Sequence, residues 1–208
     1  MDDPLFSINN LSVNPDFDFL KKLFSQDGTD NDDDFVSSPY DSLNISCKYL
    51  DLDNYSIQYS NLNNVSILSL NVQSLSAKFA ELKEMIQLFA SKKCLPDIIC
   101  LQEIWQIHPD ADFSLPGFSK LEYKTRSNNV QGGGVGIYVR SHLSYIVSPL
   151  YSVFADRLFE SIFVEVSLPK SKLLVGSIYR PNSGHPTLSQ SEQLTQALEI
   201  FRTLPTRF

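Results

Sequence analysis

Glu103 stands directly behind an apolar run in PDIICLQEIW (96–105), and Asn71 falls near the end of another in VSILSLNV (65–72). A carboxylate buried alone is costly, so Glu103 must reach water, pair with a cation or hold a metal ion. Magnesium prefers oxygen ligands, keeps several waters and takes further oxygens from a substrate phosphate, so one carboxylate with an amide nearby is a plausible anchor for it. The alternative is local: Glu103 caps or pairs with a neighbour, and Asn71 satisfies a turn. SIYRPNSG (177–184) adds Tyr179, Arg180 and Asn182 where a strand enters a loop. Forked guanidinium donors suit phosphate, and a phenol can orient a phosphoryl oxygen. The competing reading is that Tyr179 only packs.

Other constellations are excluded. GGGVG (132–136) is no phosphate loop, because that motif needs Lys followed by Ser or Thr and then a helix, whereas Val135, Ile137, Tyr138 and Val139 continue as a strand. The glycines instead permit a tight turn and close backbone approach. His108, His142 and His185 are dispersed and assigned to surface loops or strand ends, and no Ser-His-Asp arrangement is present. Cys47, Cys94 and Cys100 are an odd number without C-x-x-C spacing, which argues against a disulfide framework or a zinc site and for a reducing, intracellular setting.

The elements that must position these groups are legible in the hydrophobic period. In 65–72, Leu68, Leu70 and Val72 share one face while Val65 and Ile67 share the other, the pattern of a strand covered on both sides. Phe79, Leu82, Met85, Ile86 and Phe89 then form the apolar stripe of a helix, and DIICL (97–101) is a short buried strand. Strand, helix, strand at this length is a βαβ unit, and its two parallel strands finish at one sheet edge. Asn71 and Glu103 thereby become neighbours where open α/β sheets place their ligands. Downstream, FESIFVEV (159–166) and LLVGSIY (173–179) read as a hairpin, RPNSGHP as a loop, and Leu194, Ala197, Leu198 and Phe201 as the stripe of a last helix.

Charge divides the chain. Residues 1–60 carry twelve Asp, no Glu and three Lys, a net of −9, whereas residues 61–208 carry a net of +2. Asp, Asn and Ser make up 27 of the first 60 residues, too polar a composition to offset the entropy of ordering. The expectation is an acidic, largely disordered leader over 1–60, with one short helix near DFDFLKKLF (16–24), followed by a folded domain over 61–208. The start lacks a signal peptide, and no apolar run approaches the ~18 residues of a membrane span. Only two basic pairs occur, too little for a nuclear signal.

ILSLNVQSL, PDIICLQEIW, GGGVGIYV and SIYRPN, in that order, resemble the endonuclease/exonuclease/phosphatase superfamily, and most closely the apurinic-type endonuclease region of non-LTR (LINE-type) retrotransposons. The likeness covers about residues 64–185. It implies an α/β protein with a four-layer sandwich, here partial, and a magnesium-dependent hydrolysis of phosphodiesters in DNA. Carried over, Asn71 matches the asparagine of the first motif, Glu103 the magnesium-binding glutamate and Tyr179 the active-site tyrosine, with Arg180 and Asn182 in the phosphate-proximal loop. The family also has a G-D-x-N and an S-D-H segment. No Asp follows Asp156 and no His follows His185. The expectation is therefore an incomplete domain, inactive as this chain alone, with weak or absent metal binding, an unpaired sheet edge and uncovered apolar faces. Two other readings stay open: a non-catalytic remnant binding nucleic acid weakly, and a phosphatase of the same superfamily. No protein partner or membrane is indicated, and a functional retroelement enzyme would work in the nucleus.

Overall fold

A computed structural model describes residues 65–126, 132–155 and 157–181, with the short pieces 11–13, 48–50 and 54–56. The chain divides into two compact units. The first contains residues 1–64 and 88–95; in it β1 (Leu11–Val13) pairs in parallel with β2 (Lys48–Leu50), and the Ser56 hydroxyl donates to the Lys92 carbonyl at 2.6 Å. The proposed leader helix near 16–24, the last helix over 194–201, Asn182 and His185 lie outside the described residues.

The second unit carries the site. The predicted βαβ unit is present: β3 (Ile67–Asn71), α1 (Leu75–Ser91) and β4 (Ile98–Gln102), with β3 parallel to β4 and Asn71 opposite Gln102. Helix α1 starts on a fixed point. The Ser74 and Leu75 amides donate to the Glu103 and Ile104 carbonyls at 2.8 and 3.0 Å, and the Ser74 hydroxyl accepts from Ala77. First-turn amides have no partner within a helix, so these bonds tie its start to the end of β4. The glycine segment turns into β6 (Val135–Val139), which lies antiparallel to β4 and to β5 (Glu122–Lys124), giving the order β3-β4-β6-β5.

The second sheet is antiparallel. Its backbone is the predicted hairpin of β9 (Phe159–Ser167) and β10 (Lys172–Tyr179), with β7 (Ser144–Val147) and β8 (Phe154–Ala155) both pairing with β9. The two sheets share one core: Ile98 and Cys100 of β4 and Val135, Ile137 and Val139 of β6 meet Ile162, Val164 and Val166 of β9 and Val175 of β10. Alternation then sends Ile99, Leu101 and Tyr138 to the opposite face of the first sheet, where they are fully buried, as are Leu75 and Leu82 of α1. This is a mixed α/β layered sandwich, as the motifs imply.

One expectation is corrected. Strand β3 is covered on one face only: Leu68 and Leu70 are buried, while Ile67 (38% exposed), Ser69 and Asn71 are open. Strand β10 lies against β4 and β6, and among the described residues no strand covers β3. Only Val65, half-buried, reaches the shared core from that side.

Candidate active site

Register brings the chemistry to one rim. The last residues of β3, β4 and β10 lie there, with the starts of β6 and β9, because Asn71 faces Gln102, Gln102 faces Val135, and Tyr179 faces Glu160. In a regular strand Glu103 would alternate to the helix side with Leu101. Instead its φ is +56°, a left-handed conformation, and Trp105 repeats it at +59°. Such backbone is strained for residues with a Cβ and needs its surroundings to hold it. The surroundings are visible: the Ile104 and Trp105 amides donate to the Gly134 and Gly133 carbonyls at 3.3 and 2.8 Å.

The turn sets the half-buried Glu103 carboxylate into a cradle of donors. Its Oε2 accepts from the Trp105 indole Nε1 at 2.7 Å and from the Gly133 amide at 2.9 Å. Tyr179, from the other sheet, hydrogen-bonds the same side chain. Burial, followed by that bond to Glu103, raises the Tyr179 phenol above its ordinary range, so Tyr179 remains an O–H donor at neutral pH. Indole, amide and phenol are neutral: they orient the carboxylate without cancelling its charge.

A second carboxylate behaves differently. Glu160 is fully buried beside Tyr179; its Oε1 takes the Arg126 Nε at 2.5 Å and the Arg157 amide at 3.4 Å, and its Oε2 takes the Gly134 amide at 2.5 Å. Between the two carboxylates runs Gly132–Gly134, with φ of +84°, +69° and +83°. A side chain at Gly133 would collide with the Arg126 guanidinium. All three glycines are favoured by conformation, Gly133 and Gly134 by close approach as well, and no helix follows them to make a phosphate loop.

Asn71 is exposed at the end of β3, and its Oδ1 accepts from the Gln73 amide at 3.3 Å, closing a local turn. It shares the rim with Glu103 through the register. Arg180 is exposed just past β10. His108 and His142 are exposed, as expected. Beside Asn71 a polar row crosses the sandwich: Ser69 pairs with Gln102, the Gln102 Nε2 donates to Ser177 at 3.1 Å, and Ser177 donates to the Leu101 carbonyl at 2.8 Å. Sequence reasoning missed Trp105, Arg126 and Glu160. The apolar alternation of FESIFVEV did carry a signal, since Glu160 occupies a position in phase with Ile162, Val164 and Val166.

Metal fit follows from these donors. Among the described residues no three His, Cys, Asp or Glu side chains cluster to hold an ion. Glu160 is committed to Arg126 and Gly134, so among the described residues Glu103 is the acid at the rim that is not held in an ion pair. One carboxylate suits magnesium, which binds through one or two carboxylates plus phosphate and retains water, and does not suit a structural cage.

The endonuclease/exonuclease/phosphatase family model matches residues 68–205. Solved structures resemble the chain more distantly. They include D. rerio TDP2 complexed with a single-strand DNA product (16% identity, TM-score 0.44, 68% of this chain and 56% of that one). The same protein humanized by 14 mutations has 16% identity, a TM-score of 0.41 and coverage of 68% and 61%. The endonuclease domain of TRAS1, a telomere-specific non-LTR retrotransposon, has 18% identity, a TM-score of 0.42 and coverage of 69% and 55%. The chain spans 55 to 61% of the length of these structures. A search of curated proteins returns no match. The family match takes in both sheets and every rim residue from Asn71 to Tyr179, and the chain belongs to the endonuclease/exonuclease/phosphatase family.

Proposed function

We propose that this chain is the N-terminal part of a magnesium-dependent DNA endonuclease of retrotransposon origin. The observation that carries the reading is the Glu103 carboxylate, turned out of its strand and held at the rim by Trp105, Gly133 and Tyr179. A negative group oriented by neutral donors is pre-set to receive a cation, and we assign Asn71, which ends its strand at the same rim, as a second oxygen. A magnesium ion held there would supply Lewis-acid stabilisation to a phosphoryl oxygen. The chain's own groups do the rest of the binding: Tyr179 keeps its proton on Glu103, and Arg180 and Asn182 offer a cation and an amide to the phosphate. The non-LTR element as source is supported by the four ordered sequence motifs.

Hydrolysis of a phosphodiester also needs a base for the attacking water and a group to protonate or stabilise the leaving oxygen. Residues 157–208 contain no Asp and 186–208 no His. We propose that these 208 residues bind the metal weakly and do not turn over by themselves. The test uses a supercoiled plasmid with magnesium and two proteins, the 208-residue chain and the same chain extended by the reading frame that follows it in genomic DNA. The extension is expected to encode G-D-x-N and S-D-H and to nick the plasmid, with nicking abolished by Glu103→Ala. An extended chain that cuts equally well with Glu103→Ala, or a genomic continuation without those segments, overturns the reading.

A further inference from the structure

A buried charge pair is seldom worth more to stability than two well-packed apolar residues, so the Arg126–Glu160 pair invites a question about what it fixes. Glu160 sits in an otherwise aliphatic row and reaches no solvent, so it touches no substrate. Its two oxygens instead hold Arg126 and the Gly134 amide. The Arg126 guanidinium fills the space beside Gly133 that a Cβ would need. Gly133 in turn donates its amide to Glu103, while its carbonyl, with that of Gly134, holds the backbone of Ile104 and Trp105. These contacts lead from the buried pair, through Gly133 and Gly134, to the strained turn that carries Glu103.

We propose that Arg126 and Glu160 are positioning residues for the Glu103 carboxylate: their ion pair clamps the glycine loop so that the Gly133 amide and the Trp105 indole converge on one carboxylate oxygen. The inference rests on reading Glu103 as the metal-facing group, but its primary test needs no metal. Trp105 is the only tryptophan, so a ¹⁵N-labelled chain gives one indole N–H signal, and that proton is the one bonded to Glu103. Glu103→Gln marks the position of the signal when the charge-assisted bond is lost. Glu160→Gln and Arg126→Lys are expected to move the signal at least halfway to that position while the methyl spectrum keeps its dispersion. The double variant Arg126→Met with Glu160→Leu replaces the pair by apolar groups of similar size, which tends to preserve folding, and is expected to move it as far.

Manganese quenching of Trp105 emission is the second readout. Removing an outer-shell partner typically weakens metal affinity 10- to 100-fold, so about tenfold more manganese should be needed for half-quenching. An indole signal unmoved in folded variants overturns the inference, and wild-type quenching retained in them leaves the metal reading standing. A signal that moves in a chain that never binds manganese supports the positioning role and sinks the metal reading. Loss of folding in all three variants counts against the inference, since it assigns the pair to the fold alone.

Discussion

Gly133→Ala should be far more damaging than Gly132→Ala, although the two glycines are adjacent and both left-handed. Each substitution places a Cβ at positive φ, +69° and +84°, which costs about 1–2 kcal/mol. There the likeness ends. At Gly132 the nearest atoms to the new Cβ are Arg126 Nη1 at 3.4 Å and Glu103 Oε2 at 3.8 Å, close to ordinary contact. At Gly133 the Cβ would lie inside the contact distance of the Arg126 guanidinium, which is bonded to the fully buried Glu160. Displacing Arg126 breaks a buried pair, at about 3–5 kcal/mol. The second loss is a large share of the roughly 5–15 kcal/mol that holds a domain together. Urea unfolding followed by Trp105 emission reads the difference. With a slope of about 1–3 kcal/mol per molar, the two midpoints should differ by at least about 1 M. Equal midpoints would refute the argument that Arg126 is fixed, because a mobile guanidinium would simply step aside.

Other consequences are open to measurement. Tyr179 holds its proton more tightly folded than unfolded, so its contribution to stability is whole below the ordinary phenol pKa of 10.0 and is lost as pH rises above it. Tyr179→Phe should therefore unfold less steeply with pH above 10 than the wild type; parallel curves would contradict the Glu103–Tyr179 contact. Ser177→Ala strips a partner from the Leu101 carbonyl and from Gln102, and should lower stability by about 1–3 kcal/mol in the same urea assay, whereas no change would remove the polar row from the account. A net charge of +2 over residues 61–208 supports only weak DNA association that falls with salt, and tight binding at physiological salt in an anisotropy titration would contradict it.

The parts of this fold that were readable in advance are those written in period and punctuation. Leu68, Leu70, Ile99 and Leu101 announce their strands, the stripe from Phe79 to Phe89 announces the helix, and the short loops leave one way to connect them, so the neighbourhood of Asn71 and Glu103 follows from topology. Strand β3 misled because an apolar residue at Ile67 looks the same whether or not a second sheet lies over it. The strands β5, β7 and β8 are two to four residues long, too short for a period to show. The cradle itself was illegible for another reason. Trp105 and Gly133 reach Glu103 because Glu103 leaves the β conformation, and a positive φ at a non-glycine residue has no mark in the sequence. Glu160 is the instructive case, an acid in phase with valines, which signals a buried partner without naming Arg126, thirty-four residues away.

The claim on which the rest depends is that Glu103 receives a divalent cation. Titrating manganese into the folded 208-residue chain while recording Trp105 emission tests it most directly, because the indole donates to that carboxylate at 2.7 Å. The account predicts weak, saturable quenching that magnesium competes away and that Glu103→Gln abolishes in a protein that still folds. Quenching that is unchanged in Glu103→Gln, or absent from the wild type at every manganese concentration, would contradict it.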